Sequence, residues 1–225
     1  MSSIQINFNI IVPCGAMKCK GRGEFQMFLN LSKFTSLVKS AYKAKITFGN
    51  INGGLAIVSG HWGVWLENDY VPNKIKAIVM ELAGELPNPG MIFEVSKTNP
   101  DPQIVDRYAV IGDLFESVEN ADQKMVVTPI VLKTHREIRL LQMNHNGKAM
   151  IGIPEEQFQI INKYMIDPDV EGEPTGPCCS TFQSPIYWHN SICTFVIMPI
   201  DIKSMDQDIL NALADIDFFK KCKEE

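Results

Sequence analysis

The six cysteines and four histidines are where covalent or metal chemistry would have to begin. Cys14 and Cys19 could form half of a zinc site, with Cys178, Cys179, His189 and Cys193 supplying the rest. Zinc asks for four nitrogen or sulfur ligands in a tetrahedron, and closed structural sites show short, regular ligand pairs. The spacing here follows no such pattern, so the expectation is free thiols with no metal, no disulfide and no cofactor. A second chemistry is nucleophilic, with Cys178 or Cys179 as thiolate and His189 as base. Its difficulty is electrostatic: the cysteine pair follows the acidic, Pro/Gly-rich stretch Asp167–Pro177, and negative charge beside a thiol raises its pKa. No Gly-x-Ser-x-Gly elbow, paired-carboxylate motif, dinucleotide fingerprint or His-Glu-x-x-His helix is present. A small cysteine-dependent enzyme is thus the best catalytic reading, and a non-catalytic role is favoured over it.

The other concentration of functional side chains is basic. Residues 1–50 hold seven Lys/Arg and a single acid, Glu24, a net charge of +6. The remaining 175 residues hold 14 Lys/Arg and 25 Asp/Glu, a net charge of −11. A basic segment on an acidic body can focus a polyanion onto one surface and repel it elsewhere. The candidate nucleic-acid-binding residues are Lys18, Lys20, Arg22, Lys33, Lys39, Lys43 and Lys45. No base-reading motif accompanies them, so binding would run through phosphates and ignore sequence. The competing expectation is that acids elsewhere in the chain pair with these lysines across the fold.

The elements that must position these residues follow from periodicity. Ser32–Ala44 places Phe34, Leu37, Val38, Ala41 and Tyr42 on one helical face, leaving Lys33, Lys39 and Lys43 on the other, with Ser32 as the expected N-cap. A strand at Phe25–Leu29 precedes it. Strands Lys45–Phe48, Leu55–Ser59 and Gly63–Leu66 follow, the first two joined by an Asn52-Gly53-Gly54 hairpin. The basic loop Cys14–Gly23 is rich in glycine but lacks the Gly-Lys-Ser/Thr ending of a nucleotide-binding loop.

Further along, Ile4–Ile10 alternates as a strand, and Pro72–Leu86 is a helix burying Ile75, Ile78, Val79, Leu82 and Leu86, stopped by Pro87-Asn88-Pro89-Gly90. Strands are expected at Met91–Val95, Ile104–Ile111, Met125–Lys133, Glu137–Met143, Ala149–Ile153, Ile186–His189 and Cys193–Ile200. A tight hairpin falls at Asn144–Gly147 and a short helical turn at Asp113–Glu119. A third helix opens at Pro154 with Phe158, Ile161 and Met165 inward. A last helix, from about Met205, carries Ile209, Leu213 and Ile216 inward. His61–Leu66 crowds two tryptophans into one strand, a place for a protein partner at a sheet edge. Met27–Leu66 and Met150–Met198 echo one another faintly as strand, helix and strands with a Trp and a His. A boundary at residues 119–123 would divide the chain into halves 1–119 and 124–225.

The unit Phe25–Phe34 with Val38, followed by Lys45-Ile46-Thr47-Phe48 and the strands to Leu66, resembles the second half of a DNA sliding-clamp domain. In that family a strand leads into a helix whose lysines face the duplex and then into antiparallel strands. Phe195–Ile200 is similar to the final strand of bacterial clamps. The resemblance covers about a third of the chain and has no strict motif. It implies βαβββ units, a role in DNA replication and assembly of several copies, trimers at this length. It also gives Phe218-Phe219 a second meaning, as a peptide of the kind replication proteins insert into clamp pockets, beside its plainer one as an apolar anchor. Two features depart from the family: no helix precedes residue 24, and the helix after Met205 is extra.

The expected protein is therefore α+β, sheet-rich and antiparallel with about four helices, a non-catalytic accessory factor that binds nucleic acid. The alternative is an acidic protein-interaction or inhibitor module, docking through His61–Leu66 or the C-terminal helix. No apolar run is long enough to span a bilayer, and the start lacks the pattern of a secretory signal, so a cytoplasmic location with no membrane partner is the expectation.

Overall fold

The computed structural model describes residues 6–8, 27–143, 149–162, 176–202 and 207–221. The strand end at residues 9–12, the basic loop with Cys14 and Cys19, Phe25, the hairpin at Asn144–Gly147, Met165, the acidic loop to residue 175 and Met205 lie outside them.

Twelve strands form one antiparallel sheet: β1 (Ile6–Phe8), β2 (Ile46–Ile51), β3 (Gly54–Val58), β4 (Trp62–Glu67), β5 (Ile92–Val95), β6 (Gln103–Ile104), β7 (Gln123–Lys133), β8 (Glu137–Met143), β9 (Met150–Pro154), β10 (Cys178–Cys179), β11 (Ile186–His189) and β12 (Cys193–Ile197). Their order is β6-β5-β2-β3-β4-β12-β11-β10-β7-β8-β9, with β1 also on β7. The meanders β2-β3-β4 and β10-β11-β12 meet through their last strands, Phe195 opposite Val64, so each mirrors the other's order about that seam. The seam also carries the sheet from one half of the chain into the other, and a single core cluster unites Phe34, Trp62 and Ile75 with Phe158, Trp188 and Phe195.

Helices cover both sides of the sheet. On one side lie α1 (Leu31–Tyr42), α2 (Asn73–Ala83) and the single turn α4 (Glu155–Phe158). Phe34 and Val38 of α1 and Ile75, Ile78 and Val79 of α2 are buried there, as their spacing requires. Each such side chain contributes roughly 1.5–3 kcal/mol by leaving water. On the other side, α3 (Tyr108–Glu116) packs Ile111 and Phe115 on Ile51, Ala56, Ile92 and Val196. Farther along, α5 (Gln207–Ala214) and α6 (Phe218–Lys221) set Leu210 and Phe218 on β7, β8 and β9.

Several expectations are borne out. Asn52 (φ 49°) and Gly53 (φ 74°) form the β2–β3 turn with both residues in the left-handed region. By contrast, α2 ends at Ala83, capped by the left-handed Gly84 short of the expected stop at Pro87–Gly90, and Leu86 is exposed instead of buried.

Others need correction. Asn30, not Ser32, caps α1, its Oδ1 accepting from Lys33 N at 3.1 Å. Leu29 makes only a single bridge to Ile161 instead of a full strand. That bridge, with Asn30 N donating to Ile160 O, pulls the chain out of helix after Phe158, so the third helix is one turn long. Half of the strand expected at Ile104–Ile111, from Tyr108 on, belongs to α3, and only Ile104 lies in a strand, β6. Finally, β4 lies inside the sheet, hydrogen-bonded to β3 on one side and β12 on the other, with Trp62 and Leu66 buried. The strand His61–Leu66 therefore offers no free edge to a partner.

Candidate nucleic-acid interface

The α1–α2 layer positions the described lysines. Because Phe34 and Val38 turn into the core, Lys33, Lys39 and, just past the helix end, Lys43 stand in solvent. Helix α2 packs beside α1 and adds Lys74, exposed, while the half-exposed Lys76 lies on its other flank; Glu81 is the one acid in either helix. Sequence reading missed Lys74 and Lys76. Their signal was present in α2, where both flank the inward-facing Ile75, but nothing local showed that α2 lies alongside α1. Two contacts tie the helices together at the surface: Lys39 Nζ meets Glu81 Oε1 at 2.8 Å, and Lys74 Nζ donates to Ser32 Oγ at 2.8 Å.

Lys33 lies at the edge of this face, donating to Gln159 Oε1 at 3.3 Å. Beneath it is a buried ion pair. Arg139 Nε and Nη2 donate to the two carboxylate oxygens of Glu155 at 2.7 Å each. Arg139 Nη1 donates to Thr128 O at 3.1 Å, and the guanidinium lies 5.2 Å from the centre of the Phe158 ring. The pair holds α4 to β8 and fixes the floor under the start of α1.

Lys45 is a separate case. Its ammonium meets Glu94 at 3.3 Å, and Glu94 also takes Arg107 at 2.9 Å and Thr47 Oγ1 at 3.4 Å. Thr47 alternates with the core residues Ile46 and Phe48, so this cluster sits on the α3 side of the sheet. The structure thus brings Lys74 to Ser32 and Glu81 to Lys39 of α1, leaves Lys33 and Lys43 exposed on or just past the same helix, and places Lys45 elsewhere. Lys18, Lys20 and Arg22 lie outside the described residues.

The opposite face has the reverse sign. Asp101, Asp106, Asp113, Glu116, Glu119 and Asp122 are all exposed on or beside α3, against Arg107 and Lys124 in residues 101–124 and Lys45 at the start of β2.

The thiols are poorly placed for catalysis. Cys178 and Cys179 are buried and point to opposite sides of the sheet, one into the α3 cluster and the other into the α1–α2 core. Burial, reinforced by each one's acidic neighbour, pushes both up to about 11: Cys179 beside Cys178, and Asp122 beside Cys179. A nucleophile needs the reverse shift. Burial also raises the Cys193 thiol. Among the described residues no three His, Cys, Asp or Glu side chains are grouped to hold a metal ion, and no helix is long and apolar enough to cross a membrane.

The C-terminal segment is docked. Leu210 and Phe218 are buried, whereas Ile209 is half-buried and Ile216 exposed, correcting the expected inward set. The helix breaks because the buried Gln142 amide donates to Ala214 O and Ile216 O and accepts from Phe218 N. Phe218 is therefore an anchor and is not available as a free peptide.

No protein-family model matches the sequence, and no curated protein matches it. Among solved structures the chain is similar to the beta chain of DNA polymerase III from Streptococcus pneumoniae, at 10% identity and a TM-score of 0.29. The match covers 81% of this chain and 66% of that one, just under two thirds of its length. It is a weak resemblance of fold and carries no argument about function.

Proposed function

We propose that this chain is a non-catalytic accessory factor that holds nucleic acid by its phosphates, on the lysine face of α1 and α2. One observation carries this reading: two helices side by side expose Lys33, Lys39, Lys43 and Lys74, with Glu81 the one acid within either helix and Glu156 at the edge beside Lys33. Lysine ammoniums spread over two helices can follow a phosphate backbone, and nothing on the face is built to read base edges. Binding is then weak, indifferent to sequence and steeply dependent on salt. The finer form of the reading is a clamp-like scaffold of several copies. The short outer strand β6, with Ile104 75% exposed, supports association through a sheet edge, and the mass in solution tests it.

The test of binding is the anisotropy of a labelled DNA duplex titrated over a range of salt. Lys39→Glu with Lys43→Glu should abolish binding and leave the fold intact, since exposed substitutions usually stay within about 0.5 kcal/mol. Each single Lys→Ala change should lower the salt slope by about one unit. If the wild-type chain ignores both DNA and RNA at low salt, the reading fails. An acidic protein-interaction module is the second reading. The pairing of Lys39 with Glu81 and of Lys45 with Glu94 favours it, because both lysines then have partners within the chain.

A further inference from the structure

On the acidic side of the sheet, an open groove of about 380 Å³ runs between α3 and the strands beneath it. Its apolar walls are Val58, Val110, Leu114, Pro185 and Met198. Val110 is 70% exposed in the first turn of α3, although Ile111 and Phe115 of the same helix are buried. An exposed β-branched side chain on a helix has poor helix propensity and gains nothing from burial. Val110 therefore stabilises neither helix nor core, and it stands at the lip of the groove.

The charge around the groove is polarised. At one end Arg107 is held by Glu94, which also takes Lys45. At the other end are Ser117 and Ser180, with Asp113 on the lip. Glu119 follows Ser117 along the chain. The carbonyl end of α3 adds its own partial negative charge there.

We propose that this groove docks a basic peptide segment of a partner protein. An apolar side chain sits between Val110, Leu114, Val58 and Met198, and an adjacent arginine or lysine meets Asp113 and the end of α3. Polarity sets the choice of partner: an acidic peptide would face Asp113 and the carbonyl end of α3, and an uncharged one would leave them unused. The site is independent of the lysine face, which lies across the sheet.

The probe is a short fluorescein-labelled peptide of alternating leucine and arginine, titrated with the full chain at moderate salt. Saturable binding is expected, with peptides of alternating leucine and glutamate, or glycine and arginine, at least about tenfold weaker. Val110→Asp and Asp113→Lys should each weaken binding by about tenfold or more, as loss of an anchor does. Both positions are exposed, so the melting temperature should hold and separate lost binding from lost fold. Absence of saturable binding overturns the proposal. So does equal affinity for the glycine–arginine peptide, or equal affinity of the variants for the probe. Sedimentation of the chain alone supplies the last arm: self-association abolished by Val110→Asp would make a second copy the occupant and overturn the peptide assignment.

Discussion

Replacing Arg139 by methionine should be among the most damaging single changes in this protein. The guanidinium makes two 2.7 Å bonds to Glu155 and one 3.1 Å bond to Thr128 O, with both charged side chains under one tenth exposed. Thr128 O belongs to the irregular stretch of β7 between Val127 and Val131, where Pro129 cannot donate to the ladder. Methionine fills a similar volume but leaves the buried Glu155 carboxylate with only the Gln159 amide at 3.3 Å, and the Thr128 carbonyl without the guanidinium. Breaking a buried pair from one side costs about 3–5 kcal/mol. In a chain of this size each kcal/mol moves the midpoint by about 2–4 °C, so Tm should fall by roughly 6–20 °C. Urea denaturation measures the loss directly, provided the slope is unchanged. Adding Glu155→Leu should restore most of the stability, because the cost lies in the orphaned charge more than in the lost attraction. A loss within about 1 kcal/mol, or a double variant no more stable than the single, would refute this account of a desolvated pair.

Three further outcomes follow from the same structure. Gly54→Ala should cost about 1–3 kcal/mol or more in a thermal melt, because the new methyl would meet the Trp65 ring at 2.3 Å and Leu66 O at 2.6 Å. Alkaline titration should show stability present below pH 9 and lost as pH rises through about 11. Burial raises Cys178 and Cys179 from 9.0 to about 11, so the folded chain keeps protons that the unfolded chain releases; a variant with alanine at both positions should have a flatter profile by circular dichroism. Glu81→Gln should tighten duplex binding severalfold in the anisotropy assay, since it removes the acid that holds Lys39; weaker binding would mean the pair orders the face.

What could be read from the sequence was whatever is decided within a few residues. Phe34 and Val38, or Ile75, Ile78 and Val79, define a helical face by spacing alone, and Asn52-Gly53 defines its turn by tolerating positive φ. Tertiary contacts decided the rest. Val105, Val110 and Ile111 have the β-branched character of a strand, yet the uncovered face of β2, β3 and β5 is satisfied by a helix burying Ile111 and Phe115 one turn apart. The third helix lost to pairing between Asn30 and Ile160, far apart in the chain. The lysine cluster was half legible. Lys33, Lys39 and Lys43 fall on the outer face by periodicity, whereas Lys74, 42 residues from Ser32, joins them only through helix packing. Glu94, which pulls Lys45 to the other side of the sheet, gave no local sign.

The placement of α1–α2 and α3 on opposite sides of one sheet makes the molecule an electric dipole on a body of net charge −5. With helices about 10 Å across on each side, the two charge sets lie roughly 20 Å or more apart. At about 0.01 M salt the Debye length is about 30 Å, so an approaching polyanion senses the whole molecule, including its excess of acid. At about 0.1 M it shrinks to about 10 Å, and only the near face is felt. If α1–α2 is the landing surface, modest salt should first quicken encounter with a duplex, by hiding the acidic side, before higher salt weakens the lysine contacts themselves. The association rate would then pass through a maximum, which a uniformly basic binding protein, repelled by nothing, would not show.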